Sequence, residues 1–202
     1  MLLIGRDLSP FVRRTATVIE VLGLPYERRK LATADAPEAV AEFNPLARVP
    51  ALVLEDGEVL IDSAAIIDHL LEIGDPDHRL LPADGAARRA VLRHSAMATG
   101  VMEKGVAAAY EMRRRPAELV HAPWLDYIKQ QVRDGLAYLE GACGAMAASG
   151  DMRLDVINAV VAYDYIGLVH SDLVSPELAA LAALSEQANA LPAFRDTQWK
   201  PD

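Results

Sequence analysis

The sequence predicts an α/β N-terminal domain with the element order βαβαββα, followed by an all-helical domain. Short apolar runs alternate with helix-like segments over the first third of the chain, whereas the remainder is alanine-rich, helix-periodic and almost without strand signals. A stretch with two prolines and several charges, Gly74 to Asp84, lies between these parts and is typical of an interdomain linker. We therefore predict domains at residues 1–77 and 84–202.

The first predicted unit is a strand, a helix and a second, parallel strand. Met1 to Ile4 is a short buried strand, Pro10 to Leu22 a helix, and Pro25 to Lys30 the next strand. Ser9 is the predicted N-cap, and Pro10 occupies the first helical turn, where a missing N–H costs no hydrogen bond. A hydroxyl at this position also faces the positive end of a helix dipole, which stabilises anions. Ordinary helix capping explains the motif equally well.

A helix, two strands and a further helix complete this domain. They are predicted at Pro37–Phe43, Ala51–Leu54, Glu58–Ile61 and Ser63–Ile73. Asn44 ends the first of these helices, because the residue before a proline disfavours helical backbone. The loop Glu55-Asp56-Gly57 joins the two strands as an antiparallel hairpin, with glycine at the strained position. Ser63 is the predicted N-cap of the last helix.

The second part is predicted to contain four helices and a packed C-terminal tail. The helices lie at about 84–114, 123–148, 155–170 and 176–190. Their limits are marked by helix-breaking residues at Pro116, Pro123, Gly150 and Pro176.

Charge and cysteine content narrow the possible functions. The formal net charge of −9 over 202 residues argues against a nucleic-acid or anionic-membrane partner. The single cysteine, Cys143, allows no intrachain disulfide, suits a reducing compartment and is expected to be a small buried residue. Arg6 and Asp7 interrupt the first apolar run, and no run approaches membrane-spanning length, so a cytoplasmic location is expected.

Metal and dithiol chemistry are not expected. The five histidines are scattered, with no spacing typical of a metal site. No Cys-x-x-Cys pair exists, because Cys143 is the single cysteine of the chain. Two-cysteine redox chemistry is therefore excluded.

Five segments in a fixed order point to a family. They are Ser9-Pro-Phe-Val-Arg-Arg14, Asn44-Pro-Leu-Ala-Arg-Val-Pro-Ala51, Leu60-Ile-Asp-Ser-Ala-Ala-Ile-Ile67, Gly150 to Tyr165 and Leu191-Pro-Ala-Phe194. With these segments the chain resembles the cytosolic glutathione transferases of the serine-type, bacterial-like kind, over nearly its whole length. The resemblance implies a thioredoxin-like glutathione-binding domain at 1–77 and a helical domain at 84–202 that contributes the second-substrate pocket.

The resemblance implies that glutathione is a co-substrate and that Ser9 is the hydroxyl donor to its thiolate. A free thiol with a pKa of about 8.5 is only slightly ionised at neutral pH, and lowering this pKa by about two units corresponds to about 2.7 kcal/mol. Phe11 is expected to help bind glutathione. Arg13 and Arg14 either add positive potential or are solvated helix surface. Arg6 stands where some branches of the family place an activating tyrosine, so tyrosine-type catalysis is not expected.

The other two N-terminal motifs imply the rest of the glutathione site. Val49 and Pro50 are expected to form a cis peptide, with the Val49 backbone binding the cysteinyl part of glutathione. Arg48 either pairs with the glycyl carboxylate or is an exposed loop cation. Asp62 and Ser63 are expected to bind the ammonium and carboxylate of the γ-glutamyl end. Asp62 is one methylene shorter than the glutamate usual in the family, and a capped helix alone also explains Ser63.

One departure from the family pattern concerns helix stability. The family usually has Ser or Thr three residues before Asp155, but this chain has Met152 there. The missing hydroxyl cap predicts a local loss of about 1 kcal/mol.

The expected function is a glutathione transferase, typical of detoxification, in which the thiolate attacks a small electrophilic, apolar substrate. A homodimer is implied by the resemblance, and no metal is expected. A glutathione-dependent reductase or isomerase on the same site is an alternative. The rival class is a non-catalytic binding or interaction protein that retains the fold.

Overall fold

Four short strands form one mixed sheet in the computed structural model, which describes residues 1–33, 36–147, 150 and 152–199. The strands are β1 (Leu2–Ile4), β2 (Glu27–Arg29), β3 (Ala51–Val53) and β4 (Val59–Ile61), in the spatial order β2-β1-β3-β4. β1 is parallel to β2 and antiparallel to β3, and β3 is antiparallel to β4. The predicted βαβ unit with an added hairpin is confirmed.

The register of the sheet brings several chain segments to one edge. Ile4, which ends β1, pairs with Ala51, which begins β3, and Ala51 pairs with Ile61, which ends β4. Arg29, which ends β2, also pairs with Ile4. One edge of the sheet is therefore formed by the carboxyl ends of β1, β2 and β4 and the amino end of β3. The loops that adjoin these strand ends all lie at that edge.

The helices between these strands lie where the sequence predicts them. They are α1 (Pro10–Leu22), α2 (Pro37–Ala41) and α3 (Ser63–Gly74). Ser9 is confirmed as the N-cap of α1, and Gly23 ends this helix with a φ of 65°. Gly57 has a φ of 90° in the hairpin loop, as predicted.

The predicted N-cap of α3 is wrong by one residue. Ser63 is the first helical residue and is buried, whereas Asp62 is the N-cap. The Asp62 carboxylate accepts the backbone N–H of Ala64 at 2.8 Å. Asp62 has a φ of 70°, a conformation that costs a residue with a side chain about 1–3 kcal/mol. The capping hydrogen bond offsets part of this cost.

Two compact units divide the chain, residues 1–81 with the described residues from 189 onward, and residues 82–188. In the first unit the C-terminal segment, which includes the short helix α8 (Pro192–Arg195), packs on α1. Phe194 is fully buried, and the hydroxyl groups of Thr197 and Thr17 lie 2.9 Å apart. The predicted second domain, 84–202, includes this segment, whereas the structure groups it with the first unit. The functional roles assigned to the predicted domains stay predictions.

The second unit is helical, as predicted. Its helices are α4 (Gly85–Arg114), α5 (Ala122–Ala147), α6 (Leu154–Val169) and most of α7 (Ala179–Asn189), with short 3-10 turns at 117–119 and 171–173. The predicted end of the second helix at residue 148 lies outside the described residues. No helix in the described parts of the chain is both long and apolar enough to cross a bilayer.

Close helix packing in this unit depends on two glycines. A Cβ added to Gly105 on α4 would lie 2.5 Å from Cδ1 of Ile166 on α6. A Cβ added to Gly135 on α5 would lie 2.4 Å from Cγ2 of Val101 on α4. A larger side chain at either position would require Ile166 or Val101 to shift.

The start of α6 lacks a hydroxyl cap, as Met152 predicts. The N-cap position is Arg153, which makes no side-chain capping bond. Asp155 is fully buried, and its carboxylate contacts Nδ1 of His94 at 3.0 Å and Nη2 of Arg153 at 3.3 Å. A buried hydrogen bond thus links α6 to α4, and an ion pair holds the N-cap residue, at the point where the hydroxyl cap is missing.

Candidate functional site

Three predicted site segments lie at the same edge of the sheet. Ser9 begins α1 after a short loop from β1, the pair Val49 and Pro50 directly precedes β3, and Asp62 directly follows β4. The strand register described above carries all three to that edge. The amino ends of α1 and α3 lie there too, and backbone N–H groups at helix amino ends favour anions.

Gly5 brings the first two of these segments into contact. A Cβ at Gly5 would lie 2.4 Å from Cγ2 of Val12 and 3.0 Å from Cβ of Val49, and the φ of Gly5 is 143°. Both the space and the backbone conformation therefore require glycine. Gly5 was not among the predicted site residues, although an isolated glycine next to a strand is a signal of close backbone approach.

The Ser9 hydroxyl caps the amino end of α1. Its oxygen accepts the backbone N–H of Val12 at 3.4 Å, and the side chain is half-buried. A hydroxyl that accepts one hydrogen bond still has its own proton to donate to an anion. No acidic side chain lies in the first turn of α1, a helix that is described throughout, so nothing in that turn cancels the positive end of the dipole.

Arg13 and Arg14 are buried, so the interpretation as solvated helix surface is wrong. They are 7% and 4% exposed, and Nη2 of Arg13 donates to Oδ1 of Asn189 at 2.9 Å. The backbone N–H of Arg13 also bonds the carbonyl of Ser9, one turn away. Charges inside a protein act through a lower effective dielectric than charges in water. The role of these two cations towards a thiolate stays a prediction.

The Val49–Pro50 peptide bond is cis, as expected. The loop that leads to it is held by Asn44, which is 3% exposed. The Asn44 amide donates to the carbonyl of Arg48 at 3.0 Å, and its oxygen accepts the N–H of Leu46 at 3.0 Å. The sequence analysis used Asn44 only as a helix end, because a buried asparagine that anchors a loop has no distinct sequence pattern.

The remaining predicted site residues differ in exposure. The side chain of Arg48 is exposed, which suits both an anion partner and a loop cation, and Phe11 is half-buried in the first turn of α1. The carboxylate of Asp62 is exposed and uses Oδ1 to cap α3, whereas Ser63 is 5% exposed. The proposed contacts of these residues with glutathione stay predictions.

Asp7 is a charged residue of this edge that the sequence analysis missed. It lies in the loop between β1 and α1 and forms ion pairs with Arg28 and Lys30. From the sequence, Asp7 only ends an apolar run. Its ion-pair partners lie more than twenty residues later in the chain, and the sequence alone does not identify them.

Cys143 is a buried residue of the second unit, as predicted. It is 4% exposed, and its thiol donates to the carbonyl of Leu139 at 3.3 Å. Burial, with a smaller contribution from the charge of Glu140, raises the pKa of the Cys143 thiol to about 11. The thiol is therefore protonated at neutral pH. Across the described ranges, no group of three or more His, Cys, Asp or Glu side chains is placed to hold a metal ion.

Comparison with protein families and curated proteins gives one consistent similarity. The family model described as glutathione S-transferase, N-terminal domain, matches residues 3–77. The uncharacterized GST-like protein YibF of Escherichia coli (strain K12) is 31% identical over 158 residues, which cover 78% of this chain and 75% of that protein. A probable maleylacetoacetate isomerase of Caenorhabditis elegans is 37% identical over 75 residues, which cover 37% of this chain and 34% of that protein.

Solved structures of similar chains cover nearly all residues. A glutathione transferase family member from Pseudomonas fluorescens Pf-5, with bound glutathione, is 30% identical with a TM-score of 0.88 over 99% of both chains. A glutathione S-transferase from Methylobacillus flagellatus KT, with glutathione bound, is 28% identical with a TM-score of 0.88 over 98% of both chains.

Proposed function

Because the chain belongs to the cytosolic, bacterial-like glutathione S-transferase family, we propose that it is a glutathione transferase in which Ser9 stabilises the glutathione thiolate. The observation that carries this proposal is the placement of Ser9. Its hydroxyl caps the amino end of α1, and Gly5 of the preceding loop lies against Val49, which forms the cis bond with Pro50. A hydroxyl that accepts one hydrogen bond retains its own proton for donation.

The proposed chemistry requires selective binding of the thiolate over the thiol. Free thiols ionise with a pKa of about 8.5, so a site active at neutral pH must lower this value by about two units. The hydroxyl of Ser9 and the amino end of α1 both favour the anion. The thiolate sulfur then donates an electron pair to an electrophilic carbon of the substrate, and the leaving group departs with its bonding pair.

The rest of the proposed glutathione site uses the predicted residues. The backbone of Val49 binds the cysteinyl part, and Arg48 pairs with the glycyl carboxylate. Asp62 meets the γ-glutamyl ammonium, while Ser63, at the amino end of α3, meets the γ-glutamyl carboxylate. Phe11 contributes to the same site from the first turn of α1. The relatives from P. fluorescens and M. flagellatus support this proposal, because their structures hold glutathione.

The acceptor is proposed to be a small apolar electrophile, and the role to be detoxification in the cytoplasm by a homodimer. An isomerase is the second candidate, favoured by the similarity to the probable maleylacetoacetate isomerase over 75 residues. The transferase and isomerase reactions differ in their use of glutathione. A transferase consumes one glutathione per product, whereas an isomerase regenerates it. The contribution of the helical residues to a second-substrate pocket stays a prediction.

The decisive experiment is a pH titration of enzyme-bound glutathione, followed by thiolate ultraviolet absorbance. We expect a bound-thiol pKa about two units below that of free glutathione, and a rise towards the free value in Ser9→Ala. Ser175→Ala is the control, because Ser175 is an exposed serine of the second unit. Binding without a lowered pKa would remove Ser9 as the activating group. No binding at millimolar glutathione would overturn the transferase and favour an interaction protein.

A further inference from the structure

Asp7 ties the loop that carries Ser9 to the neighbouring strand. Its Oδ1 lies 2.5 Å from Nη2 of Arg28, and its Oδ2 lies 2.8 Å from Nζ of Lys30. Arg28 lies within β2, and Lys30 directly follows that strand. Two ion pairs therefore connect the middle of the loop to the edge strand of the sheet.

Burial makes the contact with Arg28 the more important of the two. The side chains of Asp7 and Arg28 are 11% and 21% exposed, whereas that of Lys30 is 63% exposed. Exposed ion pairs contribute little because water screens them, but a buried charge that loses its partner is strongly unfavourable. The Arg28 contact is a pairing of charges rather than an aligned hydrogen bond. It fixes where the loop lies and leaves the orientation of the guanidinium less defined.

The two ends of the same loop are held by backbone hydrogen bonds. The N–H of Gly5 donates to the carbonyl of Arg29 at 3.0 Å, and the N–H of Ser9 donates to the carbonyl of Arg6 at 3.1 Å. Only the first of these bonds reaches β2, because the second closes a turn within the loop. The position of the Ser9 hydroxyl therefore depends on a loop that is tied to β2 at Gly5 and, through the side chain of Asp7, at its centre.

We propose that Asp7 is a positioning residue, which holds the loop through Arg28 and Lys30 so that the Ser9 hydroxyl meets the glutathione sulfur. This inference rests on the proposed function of Ser9. The charge of Asp7 does not itself assist the reaction, because a carboxylate near a thiolate raises the pKa of the thiol. Arg28 and Lys30 compensate that charge while they hold the loop.

The positioning role and a purely electrostatic role predict opposite signs for one variant. Asp7→Asn keeps the size of the side chain and removes its charge. If Asp7 acts only through its charge, this change leaves two unopposed cations near the site and lowers the pKa of bound glutathione. If Asp7 positions Ser9, the loop shifts and the pKa rises.

The test is a double-mutant cycle in the complex with glutathione, with the bound-thiol pKa as the readout. We expect Asp7→Asn to raise this pKa by about 0.5 to 1 unit, which leaves about three- to tenfold less thiolate well below the pKa. In a Ser9→Ala background the same substitution should cause no rise, because Asp7 acts through Ser9, and the lost negative charge alone would lower the thiol pKa. An equal rise in both backgrounds would show that Asp7 does not act through Ser9.

Two further variants complete the test. Asp172→Asn is the matched control, because it breaks an ion pair with Lys129 in the second unit, 3.1 Å long, and should not change the thiol pKa. Arg28→Gln replaces Asp7→Asn if the latter does not fold. Its effect on the thiol pKa should be smaller in the Ser9→Ala background, where only the loss of the guanidinium charge remains, whereas a purely electrostatic effect would be equal in both backgrounds.

The possible outcomes separate this inference from the function on which it rests. An unchanged or lowered thiol pKa in Asp7→Asn, or an equal shift in both backgrounds, overturns the positioning role and leaves Ser9 unaffected. A wild-type thiol pKa equal to that of free glutathione, or no rise in Ser9→Ala, overturns the proposed function and this inference together.

Discussion

The carboxylate of Asp155 lies 3.0 Å from Nδ1 of His94, and both side chains are almost completely buried. Arg153 is a cationic partner of the same carboxylate at 3.3 Å. The His94 contact joins the first turn of α6 to α4 within the second unit. The start of α6 is therefore held by these two contacts of a buried carboxylate, where Met152 provides no hydroxyl cap.

The first prediction concerns the free energy of unfolding of Asp155→Asn. We expect a loss of about 3 kcal/mol, because removal of one member of a buried ion pair leaves the other charge without compensation. Urea unfolding measures this loss. Asp126→Asn, at an exposed position of α5, should change stability by less than about 0.5 kcal/mol. A loss below about 1 kcal/mol in Asp155→Asn would show that the pair does not hold α6.

The second prediction is a pH dependence of stability that arises from His170, at the end of α6. Burial lowers its pKa, and the nearby cations Lys129 and Arg113 add to this effect, whereas the Gly105 carbonyl and Asp172 oppose it. Nε2 of His170 contacts that carbonyl at 2.8 Å and donates its proton. Nδ1 is buried with no partner within the described ranges, so a second proton there would be unfavourable.

Proton linkage gives the direction in which the free energy of unfolding changes with pH. Because the pKa of His170 is lower in the folded state, the unfolded state binds more protons once the pH falls below about 6.5. We expect the free energy of unfolding to decrease between about pH 7 and 5, and to decrease less in His170→Gln. Exposed His121→Gln should keep the wild-type slope. Asp172, whose pKa is lowered mainly by Lys129, acts in a separate and more acidic range. Equal slopes in His170→Gln and the wild type would contradict the prediction.

The third prediction compares two Gly→Ala substitutions. Gly5→Ala should destabilise the protein by at least about 1–3 kcal/mol, since the new methyl would lie 2.4 Å from Val12 at a φ of 143°. Gly141→Ala should stabilise it by about 0.5–1 kcal/mol, because Gly141 is an exposed residue within α5 and a Cβ there meets nothing within 4 Å. Thermal unfolding measures both. Equal effects would show that close packing at Gly5 does not matter.

The fourth prediction concerns recognition of the γ-glutamyl end by Asp62. Asp62→Asn keeps an oxygen that can cap α3 but removes the charge proposed to meet the ammonium group. We expect about tenfold weaker binding of glutathione, because hydrogen bonds between charged groups are the stronger ones. Calorimetry with cysteinylglycine, which lacks the γ-glutamyl group, is the control and should show no change. Equal weakening of both ligands would indicate that Asp62 acts only through the fold.

The order of the elements could be predicted because local patterns determine it. Helices and turns depend on residues that are adjacent in the sequence. Apolar periodicity and Pro10 therefore predict the helices, Gly57 predicts the hairpin turn, and the structure confirms them. The error at Asp62 and Ser63 has a local cause, because both side chains are good caps at adjacent positions. Only the backbone of the folded loop decides between them.

The contacts that hold the candidate site in place could not be predicted, because they join residues that are distant in the sequence. Arg13 seemed equally suited to solvent, but it contacts Asn189, which lies 176 positions away. Asp7 and Arg28 are both charged residues of common surface types, and only strand pairing brings them together. The predicted site residues themselves came from family resemblance, and the strand register explains why they share one edge.

The packing of the C-terminal segment on α1 has a consequence for biosynthesis. The ribosome releases the chain from its amino end, and domains generally begin to fold in that order. In the first unit, however, Thr17 and Arg13 meet Thr197 and Asn189, which are made only after the whole second unit. One face of α1 in the nascent first unit therefore stays uncovered until residues 189–197 have left the ribosome.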